Sequence, residues 1–364
     1  MNTLNDGTKK LIKYGLGALG IAILALLPIF PIPIPGILPD IGKTPAAYLN
    51  LIILCLIYAA FALTYHLLLG VSGMLSFGHA LFFGAGAYLF GIMLNYWGID
   101  WITGIFLTFI FGGLLALGVG SIANRVNGIP FAMVTLAFAE AGAVLVKRNA
   151  PITNAEEGLF VTSHLPDWLI RVRDTGNLYW VILALFLLVF FVVTWVEKSR
   201  AGSIAKATRE NELRVKVLGI QSYKVKVIMF VAAGGMASLV GTGYMIATQS
   251  ALPRVISADT TILVLVMVVL GGVGYRWGAI IGAVVFTLLD HRLVSTLGDI
   301  EFISELPPIL SVPLSEPLFI LGVLFILVVL FLPGGIVGTI DRLLKKKSSH
   351  KSVEKQPVLE DSQL

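Results

Sequence analysis

Charge is scarce in this sequence: Asp, Glu, Lys and Arg make up only 13% of its 364 residues. A soluble domain carries about 25%, so this chain could not clothe its surface in polar groups, and its solvent must be largely lipid. Cysteine is almost absent. Cys55 is the single one, which excludes an intrachain disulfide and leaves it to packing. Also missing are the His-Glu-x-x-His pattern, paired cysteines at metal-binding spacing and the Gly-x-Ser-x-Gly elbow, so nothing points to an enzyme active site. Gly42-Lys43-Thr44 looks like the end of a phosphate-binding loop, but Ile37 stands where that loop needs glycine.

What is present is apolar sequence in long runs, with 57% hydrophobic residues and a mean hydropathy of +0.91. Residues 101–124, 178–196, 227–253 and 317–340 contain no Asp, Glu, Lys or Arg, and about 20 such residues suffice to cross a bilayer. Between Thr44 and Ile99 the only ionisable side chains of the acid, base or imidazole kind are His66 and His79. That stretch is too long for one crossing and should fold back near Gly70 to Gly78. The start, with Lys9, Lys10 and Lys13 before an apolar stretch, lacks a small-residue cleavage site and reads as a signal anchor retained as the first helix.

The runs predict an all-α polytopic membrane protein of about ten transmembrane helices, near 12–31, 46–69, 73–95, 101–123, 128–146, 178–196, 226–247, 260–274, 277–291 and 317–338. The eighth and ninth are short and separated by Gly271, Gly272, Gly274 and Arg276. They read either as short tilted helices or as halves of a re-entrant hairpin. Basic residues collect on the cytoplasmic side of membrane proteins. Segment 197–226 carries Lys198, Arg200, Lys206, Arg209, Arg214, Lys216, Lys224 and Lys226, and the tail carries Arg342, Lys345, Lys346 and Lys347. Both termini and segment 197–226 are therefore expected in the cytoplasm, with a membrane domain over 1–345 and a disordered tail over 346–364.

Small residues recur at helical spacing, as in Ala80 and Gly84, Ala87 and Gly91, Ala116 and Gly120, Ala237 and Gly241, and Gly274, Gly278 and Gly282. In lipid such stripes let backbones approach closely. Two glycine-dense stretches, Ser72 to Gly86 and Gly271 to Gly282, predict broken helices, which are tolerated at membrane depth where protein or a water-filled path satisfies the backbone. Ser76, Gly78, His79, Gly271, Gly272 and Gly274 are thus candidates for the pathway or for helix breaks. His79 could instead be a structural hydrogen-bonding group. Glu140, within a span, is expected to meet another subunit or line a path, because a lone carboxylate in lipid is costly. Asp290-His291-Arg292 should sit at the interface with water.

The segment Ala201 to Gly219 reads as one short surface helix ended by Gly219, with Glu212 and Lys216 paired at i, i+4. Two roles fit it, a basic loop held near anionic lipid or a docking helix for a cytoplasmic motor.

Several stretches together resemble a known family. Gly73-Met74-Leu75-Ser76-Phe77-Gly78-His79-Ala80-Leu81-Phe82-Phe83-Gly84-Ala85-Gly86-Ala87-Tyr88 resembles the signature of branched-chain amino acid ATP-binding cassette permeases of the LivM type. Phe131 to Glu140, Arg209-Glu210-Asn211-Glu212 through Gly219-Ile220, and Gly271-Gly272-Val273-Gly274 with Trp277-Gly278 resemble that family's later motifs, in the same order. The resemblance implies a permease subunit of an importer for leucine, isoleucine or valine. Urea permeases share the superfamily, and urea or a short amide is the alternative solute. A stand-alone secondary transporter is a further alternative, for which the spans hold few coupling-ion ligands. The implied partners are a second homologous permease, two cytoplasmic ATPase subunits and an extracytoplasmic solute-binding protein. Membrane lipid surrounds the complex and nucleic acid has no part. ATP and Mg would bind to the ATPases, leaving this chain without a cofactor. Coupling would fall to Arg209, Glu210, Glu212, Arg214 and Gly219.

Overall fold

The computed structural model describes residues 45–161, 165–170, 175–297, 317–332, 334–339 and 341–342. The expected first span at 12–31, the N-terminal lysines, Lys345 to Lys347 and the tail 346–364 lie outside these residues.

Six helices among the described residues are long and apolar enough to cross a membrane, and they coincide with the second to seventh expected spans. The first, α1 (Pro45–His66), continues through a π-helical stretch, Leu67–Val71. The others are α2 (His79–Trp97), α3 (Trp101–Ala123), α4 (Ile129–Arg148), α5 (Thr175–Lys198) and α8 (Ser222–Thr248). Two short helices, α6 (Arg200–Glu210) and α7 (Glu212–Val217), join α5 to α8. After α8 come α9 (Ala258–Gly271), α10 (Arg276–Leu297) and α11 (Pro317–Phe331). Helix α11 is the described part of the expected last span, so a count of ten is not reached within the described residues.

Local chemistry explains several helix ends. Asp100 accepts the Ile102 N–H at 3.2 Å to start α3, and Pro130 occupies the first turn of α4, where its missing N–H costs nothing. Gly98, at φ +61°, closes α2. Tyr96, Trp97, Trp101, Trp168 and Trp180 lie around one end of the bundle, Trp101 and Trp168 meeting edge to face at 5.6 Å. Aromatic residues favour the membrane–water boundary.

The bundle is layered. Helices α1, α2 and α8 form its centre and are mostly buried, whereas α3, α4 and α5 stand outside and are mostly unburied. The outer three therefore offer apolar faces to lipid or to other chains. Small residues bring the centre together as expected. A Cβ on Gly241 of α8 would lie 1.8 Å from the Phe83 carbonyl oxygen of α2, and one on Gly86 would lie 1.9 Å from that of Ser238. Helix α3 docks likewise, with Gly234 against Ala116, Gly120 against Phe230 and Gly112 against Ser238. Gly84 and Gly86 are therefore close-approach points inside α2, and the first break is confined to residues 72–78 rather than reaching Gly86.

The α9–α10 pair turns through 117° at Gly272 to Tyr275. At 14 residues, α9 is about 21 Å long, less than the roughly 30 Å of a hydrocarbon core. Helix α10 runs for 22 residues and is longer than the expected 277–291. Backbones meet at the turn, since a Cβ on Gly271 would lie 1.7 Å from the Gly278 carbonyl oxygen and one on Gly282 would lie 2.0 Å from that of Met267. Gly278 and Gly282 are thus packing residues of α10. Positive φ values at Gly272 (121°) and Gly274 (96°) make the turn itself.

Candidate functional site

Two glycine-rich breaks and the basic α6–α7 segment carry the expected site residues other than Glu140, and Arg209 of the segment lies against both breaks.

At the first break, the π-helical end of α1 is closed by Ser72, whose N–H and hydroxyl both donate to the Leu67 carbonyl, at 3.2 and 3.0 Å. Gly73, at φ +68°, then sends the chain back toward the bundle centre. This non-helical stretch is held by hydroxyls from three other helices or by its own side chains. Tyr65 of α1 donates to the Ser76 carbonyl at 2.9 Å. The Phe77 N–H donates to Thr135 Oγ1 of α4 at 3.2 Å, and the Ala80 N–H to Thr261 Oγ1 of α9 at 2.9 Å. Gly78 N–H donates to Ser76 Oγ at 3.3 Å. Gly78 itself leaves no room for a side chain, because a Cβ would lie 2.1 Å from the Thr135 carbonyl oxygen. Partners of this kind are what irregular backbone inside a membrane requires.

His79 is completely buried and begins α2. Its Nε2 lies 2.9 Å from Thr64 Oγ1, whose own hydroxyl donates to the Phe61 carbonyl at 2.7 Å. With that proton used, the imidazole Nε2–H is the donor, and His79 stacks on Phe61 at 5.4 Å. His79 Nδ1 is buried and has no hydrogen-bond partner among the described residues.

At the second break, Gly271, Gly272 and Gly274 meet a third glycine turn: the Cβ positions of Gly272 and Gly335 fall 2.5 Å from the Gly334 carbonyl oxygen and the Gly272 nitrogen respectively. Tyr275 donates to Asp341 at 3.3 Å.

The basic segment departs from a single helix. Asn211 leaves helical geometry at φ −159°, ψ 100° and accepts the Arg214 N–H with its side chain. Its Asx cap ends α6 and restarts the helix as α7 in a new phase. The buried face of α6 is Gly202, Ala205 and Thr208, while Ala207, Asn211, Arg214 and Leu218 are exposed. Gly219, at φ +77°, ends the segment as expected. The Glu212–Lys216 pair forms at 3.0 Å, joined by Lys226 at 2.7 Å, which also donates to Asn127 Oδ1 at 2.7 Å. Partial burial opposes ionisation of Glu212, yet hydrogen bonds from Lys226 and Lys216 outweigh it and hold the carboxyl below its usual range. Glu210 and Arg214 project outward. So do Leu213, Val217 and Leu218, at 74%, 87% and 76% exposure.

Arg209 joins the segment to both breaks. Its Nη1 donates to the Gly70 carbonyl, its stem fills the space where a Cβ on Gly73 would come within 2.7 Å, and the same Nη1 stands 3.7 Å from the Cβ position of Gly274. Glu140, by contrast, is far from this assembly in role: it sits on the exposed face of α4 with Met133, Ala137, Val144 and Leu145.

The sequence did not single out Glu197, at the end of α5. Its carboxylate contacts Lys206 Nζ of α6 at 2.8 Å, Arg276 Nε of α10 at 2.7 Å and His66 Nε2 of α1 at 3.8 Å. The available signal was an acid at a span end amid bases, which also describes an ordinary solvated flank.

A cavity of about 440 Å³ opens between α9, α10 and α11, within the size range of small-molecule sites. Its walls include Ile262, Val266, Phe286 and Leu321, with Arg254 and Asp259 as charged members.

The chain is similar to the high-affinity branched-chain amino acid transport system permease protein LivM of Salmonella typhimurium, at 24% identity over 82% of this chain and 72% of that protein. It is 26% identical to LivM of Escherichia coli K12 over 65% of this chain, a match spanning 61% of that longer protein. Against the permease protein LivH of the same organism it is 24% identical over 77% of this chain and 91% of the relative. No solved structure matches. The family model described as branched-chain amino acid transport system / permease component matches residues 47–332, and the chain belongs to that family.

Proposed function

We propose that this chain is the permease subunit of an ATP-binding cassette importer for leucine, isoleucine or valine, with α6 and α7 as the surface on which a cytoplasmic ATPase acts. The observation that carries this reading is α7. A one-and-a-half-turn helix exposing Leu213, Val217 and Leu218 has no reason to face water, and exposed apolar clusters rimmed by charge mark protein contacts. It is also braced: Glu212 is clamped between Lys216 and Lys226, so force on α7 passes into α8 rather than dissipating in a loop. ATP and Mg belong to the ATPase partners, two per assembly.

A second permease is expected against α4. Glu140 on an otherwise apolar exposed face is costly in lipid and is relieved by a partner or a wet pathway there. An extracytoplasmic binding protein would dock at the end bearing the strand pair Leu159–Phe160 and Ser250–Ala251, with both termini on the ATPase side. Branched-chain amino acids are favoured over urea because the cavity between α9, α10 and α11 has aliphatic and aromatic walls beside one cation and one anion. A zwitterion with an aliphatic side chain uses all three features; urea uses none of the apolar surface.

The test is reconstitution with the ATPases, second permease and binding protein in liposomes. Solute-stimulated ATP hydrolysis and uptake of labelled leucine are expected together. Stimulation by urea and not by leucine would overturn the substrate, and hydrolysis unaffected by L213D with V217D would overturn the docking surface.

A further inference from the structure

Glu197 and Arg209 together close a circuit around Gly70, in the π-helical stretch that leads into the first glycine break. The His66 ring lies directly on Gly70, for a Cβ there would stand 2.3 Å from His66 Nδ1. The opposite ring nitrogen, Nε2, faces the Glu197 carboxylate at 3.8 Å. Glu197 in turn holds Lys206 at 2.8 Å, and Lys206 lies one turn before Arg209 on α6. Arg209 then returns to the Gly70 carbonyl. Helix α6 thus touches Gly70 twice, once directly and once through Glu197 and His66. The second break is reached the same way, with Arg276 at the head of α10 bound to Glu197 at 2.7 Å and to Thr194 Oγ1 at 2.7 Å, while Arg209 stands beside Gly274.

We propose that Glu197 is a positioning residue of transport, the node through which displacement of α6 moves the π-helical stretch at Gly70 and the head of α10 as one unit. This rests on the reading of α6 and α7 as the ATPase-driven segment, and adds to it the route from that segment to the two breaks. The carboxylate is only 12% exposed and Lys206 and Arg276 converge on it. Removing its charge leaves two cations facing each other and unties α6 from α10, leaving Arg209 as the link from α6 to α1, because a partly buried ion left without its counter-charge is strongly disfavoured. The docking helix α7 keeps its own clamp through Glu212, Lys216 and Lys226, so motor engagement and transmission are separable.

The experiment uses the complete importer in liposomes and reads leucine uptake per ATP hydrolysed in the presence of loaded binding protein. E197Q and R276Q are expected to keep stimulated hydrolysis within twofold while uptake per ATP falls tenfold or more, with E197D recovering part of the ratio. K206Q, at a half-exposed position that folding tolerates, gives the same direction with a smaller fall. An unchanged ratio in K206Q and E197Q, or a parallel loss of hydrolysis and uptake, would overturn the proposal. L213D run alongside separates the two readings: its loss of stimulated hydrolysis supports docking whatever E197Q does, and its retention rejects docking independently of Glu197.

Discussion

The guanidinium of Arg209, on α6, donates to the backbone carbonyl of Gly70, at the π-helical end of α1. This single contact spans a long sequence separation and ties a basic surface helix to irregular backbone inside the bundle. A buried carbonyl that loses its donor costs about 1–3 kcal/mol. R209A should therefore lower the thermal midpoint of the purified importer and cut leucine uptake several-fold, both measurable on one preparation. Unchanged midpoint and uptake would contradict the contact.

Glycine positions give a graded packing test. Gly241→Ala must push α8 from the Phe83 carbonyl, since its Cβ would stand at 1.8 Å, and overpacking of this kind costs about 1–3 kcal/mol or more. Gly113→Ala on α3 meets nothing within 4 Å and should be neutral. Membrane yield and melting of the two variants, side by side, decide whether α2 and α8 approach as described.

Glu212 makes a pH prediction. Its folded-state carboxyl is held below its usual range, by bonds from Lys226 and Lys216 that overcome the cost of partial burial. The folded value lies below the unfolded one, so the stabilisation is fully present above the unfolded value and is lost as pH falls through the folded one. Protease cleavage within 211–218 should stay slow from neutral pH down to the ordinary carboxylate range and rise as pH falls further. E212Q should be cleaved faster than the native protein at neutral pH, with the difference closing as pH falls and native Glu212 is protonated. A rise in cleavage of the native protein already well above the ordinary carboxylate range would contradict the clamp.

Glu140 predicts a partner face. Cys55 is the only native cysteine and is buried, so Glu140→Cys gives a clean background for crosslinking. In the assembled importer a short bismaleimide should link this position to a cysteine in the second permease. Labelling by lipid-phase reagents alone, without crosslinking, would place α4 against lipid instead.

Much of the fold is readable from hydrophobic runs because a spanning helix depends mainly on its own composition: all six long helices fall where charge-free or charge-poor sequence predicts them. Small-residue spacing likewise pointed to Ala116 and Gly120, and to Ala237 and Gly241, which lie in the α3–α8 and α2–α8 contacts. The breaks were visible as glycine density but their limits were not. Gly73 turns the chain while Gly84 and Gly86 admit a neighbouring backbone, and only the neighbours, Ile256 and Ser238, separate those roles. The division of the basic segment at Asn211 follows from one side-chain cap that competes with helix continuation and leaves no periodic trace. Glu197 was hidden for a different reason: its meaning lies in three contacts to α1, α6 and α10, which no local pattern encodes.

The proposed role of α6 and α7 is to convert ATP hydrolysis into solute movement. The most direct measurement is leucine uptake together with binding-protein-dependent ATP hydrolysis in liposomes carrying the full importer, comparing the native chain with L213D combined with V217D. Loss of both activities, with the variant still folded and inserted, is the predicted result. A variant that hydrolyses ATP and imports leucine at native rates would contradict it.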